Sequence, residues 1–310
     1  MKRALKCSSA VFVVALALAA CSSGSSGSGS AKRAPAATGT TSGGTTTPAP
    51  SVAVAQTPPS GTNGLAFDGS NLWVADYTGS QILRVDPSSG KILARYGKAD
   101  GVVLSDDLAI GPDHSVYWSG VGGIVGRIAP GGKVTTVATI GPGVNPIAFT
   151  RDRHRLYAGR TLEGQGLYEV DPAGKKPPRL IDATWDTNAF AFGPDGLLYG
   201  PKKGLDGAGA VERVDVKTAV IKEVKVGFNY PVAVKFDTKG GCNVLSTAPA
   251  ALQRLDLKTG AITDVATPLT PIVDNFAFDR HGRIFISSFS QPVLTVVAAD
   301  GTTSMLHIGS

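Results

Sequence analysis

The chain has 310 residues, including 39 Gly and 20 Pro, with 7% aromatic side chains and a formal charge of +6. Lys2, Arg3 and Lys6 supply half of that charge, no acid accompanies them in the first twenty residues, and no basic stripe runs through the rest, so nothing supports a nucleic-acid partner. Three cysteines are present, Cys7, Cys21 and Cys242, and the loss of Cys7 with a cleaved leader leaves no basis for a disulfide framework within one mature chain.

In chain order, the first element is a leader over residues 1–20: a basic start at Lys2, Arg3 and Lys6, then a short apolar run ending in small residues. It is too short for a membrane span and has the make-up of a secretory signal. Its end, Leu18-Ala19-Ala20-Cys21, resembles the lipobox of bacterial lipoproteins, which implies cleavage before Cys21 and a lipid on its sulfur. The plainer alternative is an ordinary signal peptide with an incidental cysteine. Residues 21–60 are rich in Ser, Gly, Thr and Pro, a composition that cannot bury enough apolar surface to fold and acts as a flexible tether. The expected location is therefore the bacterial cell envelope. The lipid anchor would hold the chain at the outer face of the cytoplasmic membrane, or at the outer membrane where the envelope has two, and Ser22 is compatible with that sorting.

Residues 61–310 repeat. The segments NGLAFDGSNLWVAD (63–76), DDLAIGPDHSVYWS (106–119), NPIAFTRDRHRLYAG (145–159), NAFAFGPDGLLYG (188–200), VAVKFDTKGGCNVLS (232–246) and DNFAFDRHGRIFIS (274–287) are copies of one unit. Measured on Phe67, Ile110, Phe149, Phe192, Phe236 and Phe278, the spacing is 39 to 44 residues. Each copy reads as two apolar strands around a tight turn, a variable loop, then two more strands joined by a turn such as RVDPSSGKI (84–92) or RLDLKTGAI (254–262). Four antiparallel strands at this period predict an all-β, six-bladed β-propeller. The last copy carries its own fourth strand, TTSMLHIG (302–309), so closure need not borrow one from the N-terminus. Whether residues 51–57 add an edge strand is open.

Four residues ahead of each buried anchor lie Asn63, Asp106, Asn145, Asn188, Val232 and Asp274. In a propeller this position falls at the mouth of the central channel, so five oxygen-bearing side chains converge on one axis. They suit a hard divalent cation such as calcium. They equally suit trapped water and hydrogen bonds between strand ends. The loops expected on the same face place Trp185, Phe228, Tyr230, Arg160, Glu163, Lys202, Lys203 and Asp206 around the ring. Trp185, Tyr230, Arg160, Lys202 and Asp206 form the candidate ligand rim, and packing of Trp185 and Phe228 between blades is the competing role. No nucleophile elbow, zinc-protease motif or Cys/His metal spacing occurs.

The segments NGLAFDGSNLWVAD, DLAIGPDHSVYW and NAFAFGPDGLLYG, with their RVDPSSGKI-type turns, resemble the regucalcin/gluconolactonase superfamily of six-bladed propellers. That resemblance implies a divalent ion at the channel mouth, which polarises a lactone carbonyl while a carboxylate assists attack by water. The family's first-blade Glu falls on Asn63, its two amides on Asn145 and Asn188, and its fifth-blade Asp on Val232. The amides are retained and both carboxylates are lost. Asp106 and Asp274 occupy the slots which that family leaves unused, and either is the base to expect if hydrolysis occurs. A second, local resemblance, GGIVGRIAPGGKVTTVATIG (122–141) to streptogramin lyases, implies a His/Glu constellation. His114, His154 and His281 fall in the turns at the far end and His307 in the final strand, so they cannot supply it. The reading is a tethered, monomeric propeller that binds a small molecule, glycan or protein at its top face, with a metal-dependent lactone or ester hydrolase as the alternative.

Overall fold

Each copy of the repeat forms one four-stranded antiparallel sheet, and the six sheets are built entirely from strands consecutive in sequence. The computed structural model describes residues 54–204, 206–270 and 272–310. The leader and the Cys21 anchor lie outside the described residues, as does the tether up to residue 53. Blades 1 to 6 begin on the strands Leu65–Asp68, Ser105–Ile110, Val144–Phe149, Ala191–Phe192, Pro231–Phe236 and Val273–Phe278. Each of these first strands touches the first strand of the next blade, and that of blade 6 touches that of blade 1. This closes a ring around a central channel, as a propeller requires.

A side-chain pair repeated between blades explains why the period holds. The first-strand anchor of one blade meets the aromatic that follows the first buried residue of the preceding blade's second strand. Phe67 packs edge-on against Phe285 at 5.1 Å between ring centroids, Phe149 against Tyr117 at 5.1 Å, Phe192 against Tyr157 at 5.3 Å and Phe236 against Tyr199 at 5.1 Å. Each such pair is worth about 0.5–1.5 kcal/mol beyond the area it buries. Ile110 meets Trp73 in the same way within one apolar cluster. Only blade 5 departs: its matching residue is Asn243, buried and bonded to the Gly241 carbonyl at 2.9 Å, and Phe278 packs on Phe276 instead.

Arginines of two of the RVD-type turns find their partners beneath this layer. Arg127 pairs with Asp113 at 2.5 Å and Arg254 with Asp237 at 2.6 Å, each acid coming from the tight turn of the same blade. The sequence grammar is thus a packing grammar.

Closure follows the expected route. Blade 6 has its own outer strand, Thr303–His307, and no strand is shared with blade 1. The joint consists of Phe285, Leu294 and Ile308 packed with Leu65, Leu72 and Leu83. Thr62 adds hydrogen bonds in both directions: its N–H donates to the Ser288 carbonyl at 3.0 Å and its hydroxyl accepts the Ser288 N–H at 2.8 Å.

The propeller begins earlier than residue 61. Gln56 donates to the Ile92 carbonyl and accepts the Ile92 N–H, both at 2.9 Å, so residues 54–60 lie on blade 1 without forming a strand. The Thr57 carbonyl accepts from Arg95 at 2.5 Å and the Ser60 N–H donates to Asp76 at 2.9 Å, which holds this stretch against the same blade. Cys242 is buried in blade 5, and burial pushes its thiol up to about 12, leaving it an inert packing residue.

Candidate functional site

The ring at the channel mouth is built by a bulge repeated in the first strands. In blade 2, Ser105 faces Gly120 and Leu108 faces Trp118, so Asp106 and Asp107 share the single partner Ser119. In blade 6, Val273 faces Ser288 and Phe276 faces Ile286, so Asp274 and Asn275 share Ser287. The two serines act alike: the Asp107 N–H donates to Ser119 Oγ and the Asn275 N–H to Ser287 Oγ, each at 2.9 Å. Blades 3 and 5 shift register at Asn145-Pro146 and at Val232. In blade 1, Asn63 and Gly64 both bond to Ala75. An extra residue bends its strand and re-aims a side chain, which is why this offset carries polar groups in a stretch otherwise read as buried strand. Gly64 is required here because a Cβ would collide with the Asp106 carbonyl oxygen and Asp107 Cα.

Four of the five oxygen-bearing ring members pair by hydrogen bonds, Asn63 with Asp274 and Asn145 with Asn188. The Asn63 amide donates to Asp274 Oδ2 at 3.5 Å, and its oxygen accepts the Tyr77 N–H at 3.1 Å. The Asn145 amide donates to Asn188 Oδ1 at 3.0 Å, while Asn145 Oδ1 is buried with no hydrogen-bond partner. Val232 is buried in an apolar cluster. Asp106 is 7% exposed. Burial first, then the charges of Asp274 and Asp107, holds its carboxyl well above the usual carboxylate range. Asp274 is raised to about 6 by burial and by Asp107, against the opposing pull of Lys203, the Asn63 amide and Lys235.

Beneath the ring lies a layer that the offset rule missed. Asp107, 1% exposed, accepts the Leu108 N–H and the Asn275 amide at 2.9 Å each and the Ile147 N–H at 3.4 Å. Lys235 approaches it to 3.9 Å. Burial lowers the Lys235 amine from its ordinary value, and the Asp107 and Asp274 charges oppose the fall. The available signal was the doubling itself, Asp106-Asp107 and Asp274-Asn275, which a bulge turns into two adjacent inward positions.

The rim differs from the expected one. Trp185 is 1% exposed and packs with Tyr157, Phe190 and Phe192, and Phe228 is equally buried. Both fill space between strands, so Trp185 is withdrawn from the ligand rim. Arg160 is occupied in holding its own loop, donating to the Pro142 carbonyl at 2.9 Å and the Glu163 carbonyl at 2.6 Å. Lys202 pairs with Glu212 at 3.2 Å, and Asp206 caps its turn through the Ala208 N–H. Tyr230 is 45% exposed on a left-handed backbone, φ +47°. The aromatic pair at the mouth is Tyr77 with Phe289, 6.1 Å apart. The Tyr77 hydroxyl is raised by burial and by the charges of Asp106 and Glu163.

A separate cavity of about 680 Å³ lies at the turns of blade 3. Of its two acids, Glu169 is already held by Arg155 and Arg179, each at 2.6 Å, and Asp171 accepts the N–H groups of Ala173, Lys175 and Lys176.

No protein-family model and no curated protein sequence matches the chain. Its fold is similar to that of a virginiamycin B lyase from Staphylococcus aureus, at 14% identity over 82% of this chain and 86% of that one, TM-score 0.60. It is similar also to a gluconolactonase from Xanthomonas campestris, at 17% identity over 66% and 75%, TM-score 0.54. A third similar chain comes from a nidogen/laminin complex, at 13% identity over 80% and 94%, TM-score 0.60. At these identities the likeness establishes the six-bladed architecture, which two kinds of enzyme and a protein–protein complex share.

Proposed function

We propose that the chain is a lipid-anchored, extracytoplasmic binding module whose channel mouth takes a small, neutral, hydroxyl-rich ligand such as a sugar unit. The observation that carries this is Asn145 Oδ1: a buried amide oxygen at the mouth without a donor, beside an amide nitrogen already held by Asn188. A buried acceptor left unsatisfied is costly, and a ligand hydroxyl would supply its bond. Around it stand two amides and two carboxyls whose raised pKa values let them hold protons at mildly acidic pH, so the ring offers donors as well as acceptors.

The donor set does not fit a calcium site. Val232 offers no oxygen, Asn63 Oδ1 already accepts the Tyr77 N–H, and Lys203 and Lys235 bring positive charge to the same acids. Among the described residues no group of three or more His, Cys, Asp or Glu side chains is placed to hold a metal ion. The hydrolase reading keeps one supporting observation, the Asp106–Asp274 pair, whose coupled carboxyls could pass a proton near neutral pH.

Saturation-transfer NMR with a panel of neutral mono- and disaccharides separates the two. At least one sugar is expected to receive saturation from the wild type and to lose it in Asn145→Leu. No transfer from any sugar, together with calorimetric calcium binding that disappears in Asp106→Ala/Asp274→Ala, would favour the metal hydrolase.

Anchoring is supported by the leader and by the Leu-Ala-Ala-Cys stretch ending at Cys21. Among the described residues no helix is long and apolar enough to cross a membrane. Cys21→Ser is expected to abolish metabolic palmitate labelling and to move the protein from the membrane pellet to the soluble fraction. Continued labelling at full strength would refute the anchor.

A further inference from the structure

One step before the anchor residue, the six blades read Ala66, Ala109, Ala148, Ala191, Lys235 and Ala277. Five small residues keep the channel open at this level, and one long cationic side chain breaks the ring. The channel beyond it, at the end opposite the mouth, holds a cavity of about 360 Å³, large enough for a small ligand. First strands of five blades line it, and its walls are mainly apolar, among them Leu65, Phe149, Phe192 and Phe278.

The cations of this cavity keep hydrogen-bond donors that its acid does not take up. Asp237, its acid, is spent on Arg254 at 2.6 Å and on the N–H groups of Lys239 and Gly241. Arg151 stands exposed at the lip and makes no ion pair among the described residues. Lys235 Nζ lies 3.9 Å from Asp107 Oδ1, beyond hydrogen-bonding distance, and makes no hydrogen bond among the described residues. Asp107 already accepts three N–H groups, so its hydrogen bonds are met without the lysine, which lies beside it as a charge alone. An ammonium with unspent donors at the inner end of an apolar pocket, and a guanidinium at its outer end, complement one kind of guest.

We infer that this end of the channel is a second binding site, for a small apolar carboxylate whose head group reaches Lys235 and whose body lies against the alanine and phenylalanine wall. Its apolar wall is separate from the ring at the mouth, and Lys235 is the side chain that faces both. The guest's carboxylate takes the hydrogen bonds that Lys235 has free, and its apolar body covers the half-buried faces of Phe149 and Phe278.

Calorimetric titration of the full chain with sodium octanoate, and with octylammonium chloride as the same tail bearing the opposite charge, tests this. Octanoate is expected to bind and octylammonium not. Lys235→Met should weaken octanoate about tenfold or more, Lys235→Arg should retain most of the affinity, and Asn145→Leu at the mouth should leave it unchanged. Arg151→Glu, at an exposed position, should weaken octanoate several-fold, about as expected for a partly exposed charge, and it decides the matter if Lys235→Met does not fold. Absence of octanoate binding, equal binding of both tails, or affinity indifferent to both the Lys235→Met and Arg151→Glu changes overturns the inference.

Discussion

Replacing Phe285 by alanine is expected to cost the propeller about 3–5 kcal/mol of stability, the usual range for emptying a fully buried aromatic site. Phe285 has no exposed surface. It meets Phe67 of blade 1 edge-on at 5.1 Å, and the Arg283 guanidinium covers its ring at 5.1 Å. Its position makes the loss consequential for the whole ring. The blades at this joint are the two ends of the chain's repeat array, and no strand is shared between them, so side-chain packing and the Thr62–Ser288 bonds hold the circle shut. Urea denaturation at neutral pH measures the effect. Phe278→Ala is the comparison, since Phe278 is half-buried and faces Asn243 where other blades present an aromatic; its loss should be the smaller. A Phe285→Ala cost under about 1 kcal/mol would mean that closure rests elsewhere.

The repeat made the architecture legible because packing between blades reuses the same residue types at the same offsets. Phe149 on Tyr117 and Phe236 on Tyr199 are one contact written twice. The mouth was legible for the same reason: Asn63, Asp106, Asn145, Asn188 and Asp274 share an offset from those anchors. What the offset could not show was the bulge. A strand read as strictly alternating sends Asp107 and Asn275 to the opposite side from Asp106 and Asp274, whereas the extra residue brings both pairs to the channel. Lys235 was visible as the single exception to an alanine column, but its meaning depends on Asp107, which a different blade supplies. Trp185 failed for a simpler reason. An aromatic in an interblade segment serves packing or binding equally well on sequence alone, and only the neighbours Tyr157 and Phe190 decide for packing.

Between about pH 4 and pH 6, Asp106→Asn/Asp274→Asn is expected to gain stability steadily over the wild type. Both carboxyls are raised in the folded protein, so over this interval the native state holds protons that the unfolded chain has released. Stability must then fall as pH rises. Their contribution is intact below the ordinary carboxylate value of 3.8 and is lost, for Asp274, as pH passes about 6; the Asp106 carboxyl is raised in the same sense. The rise at Asp274 alone corresponds to about 3 kcal/mol.

Each acid raises the other's neighbourhood charge, so the two single variants should sum to more than the double. Asp107, Lys203 and Lys235 face the same pair and remain in every variant, and acids remote from it such as Asp113 and Asp279, whose carboxyls are lowered by Arg127 and Arg283, titrate equally in all of them. The contributions of these remote acids cancel in the difference, and any change in Asp107 or Lys235 belongs to the same buried cluster. Urea melts across this pH range give that difference directly, and a flat line would mean the acids are not coupled in the fold. The same titration bears on the ligand. A neutral, hydroxyl-rich guest accepts hydrogen bonds from protonated carboxyls, so its affinity should hold or improve toward pH 5. A cationic guest needs the ionised pair and should bind more tightly as pH rises.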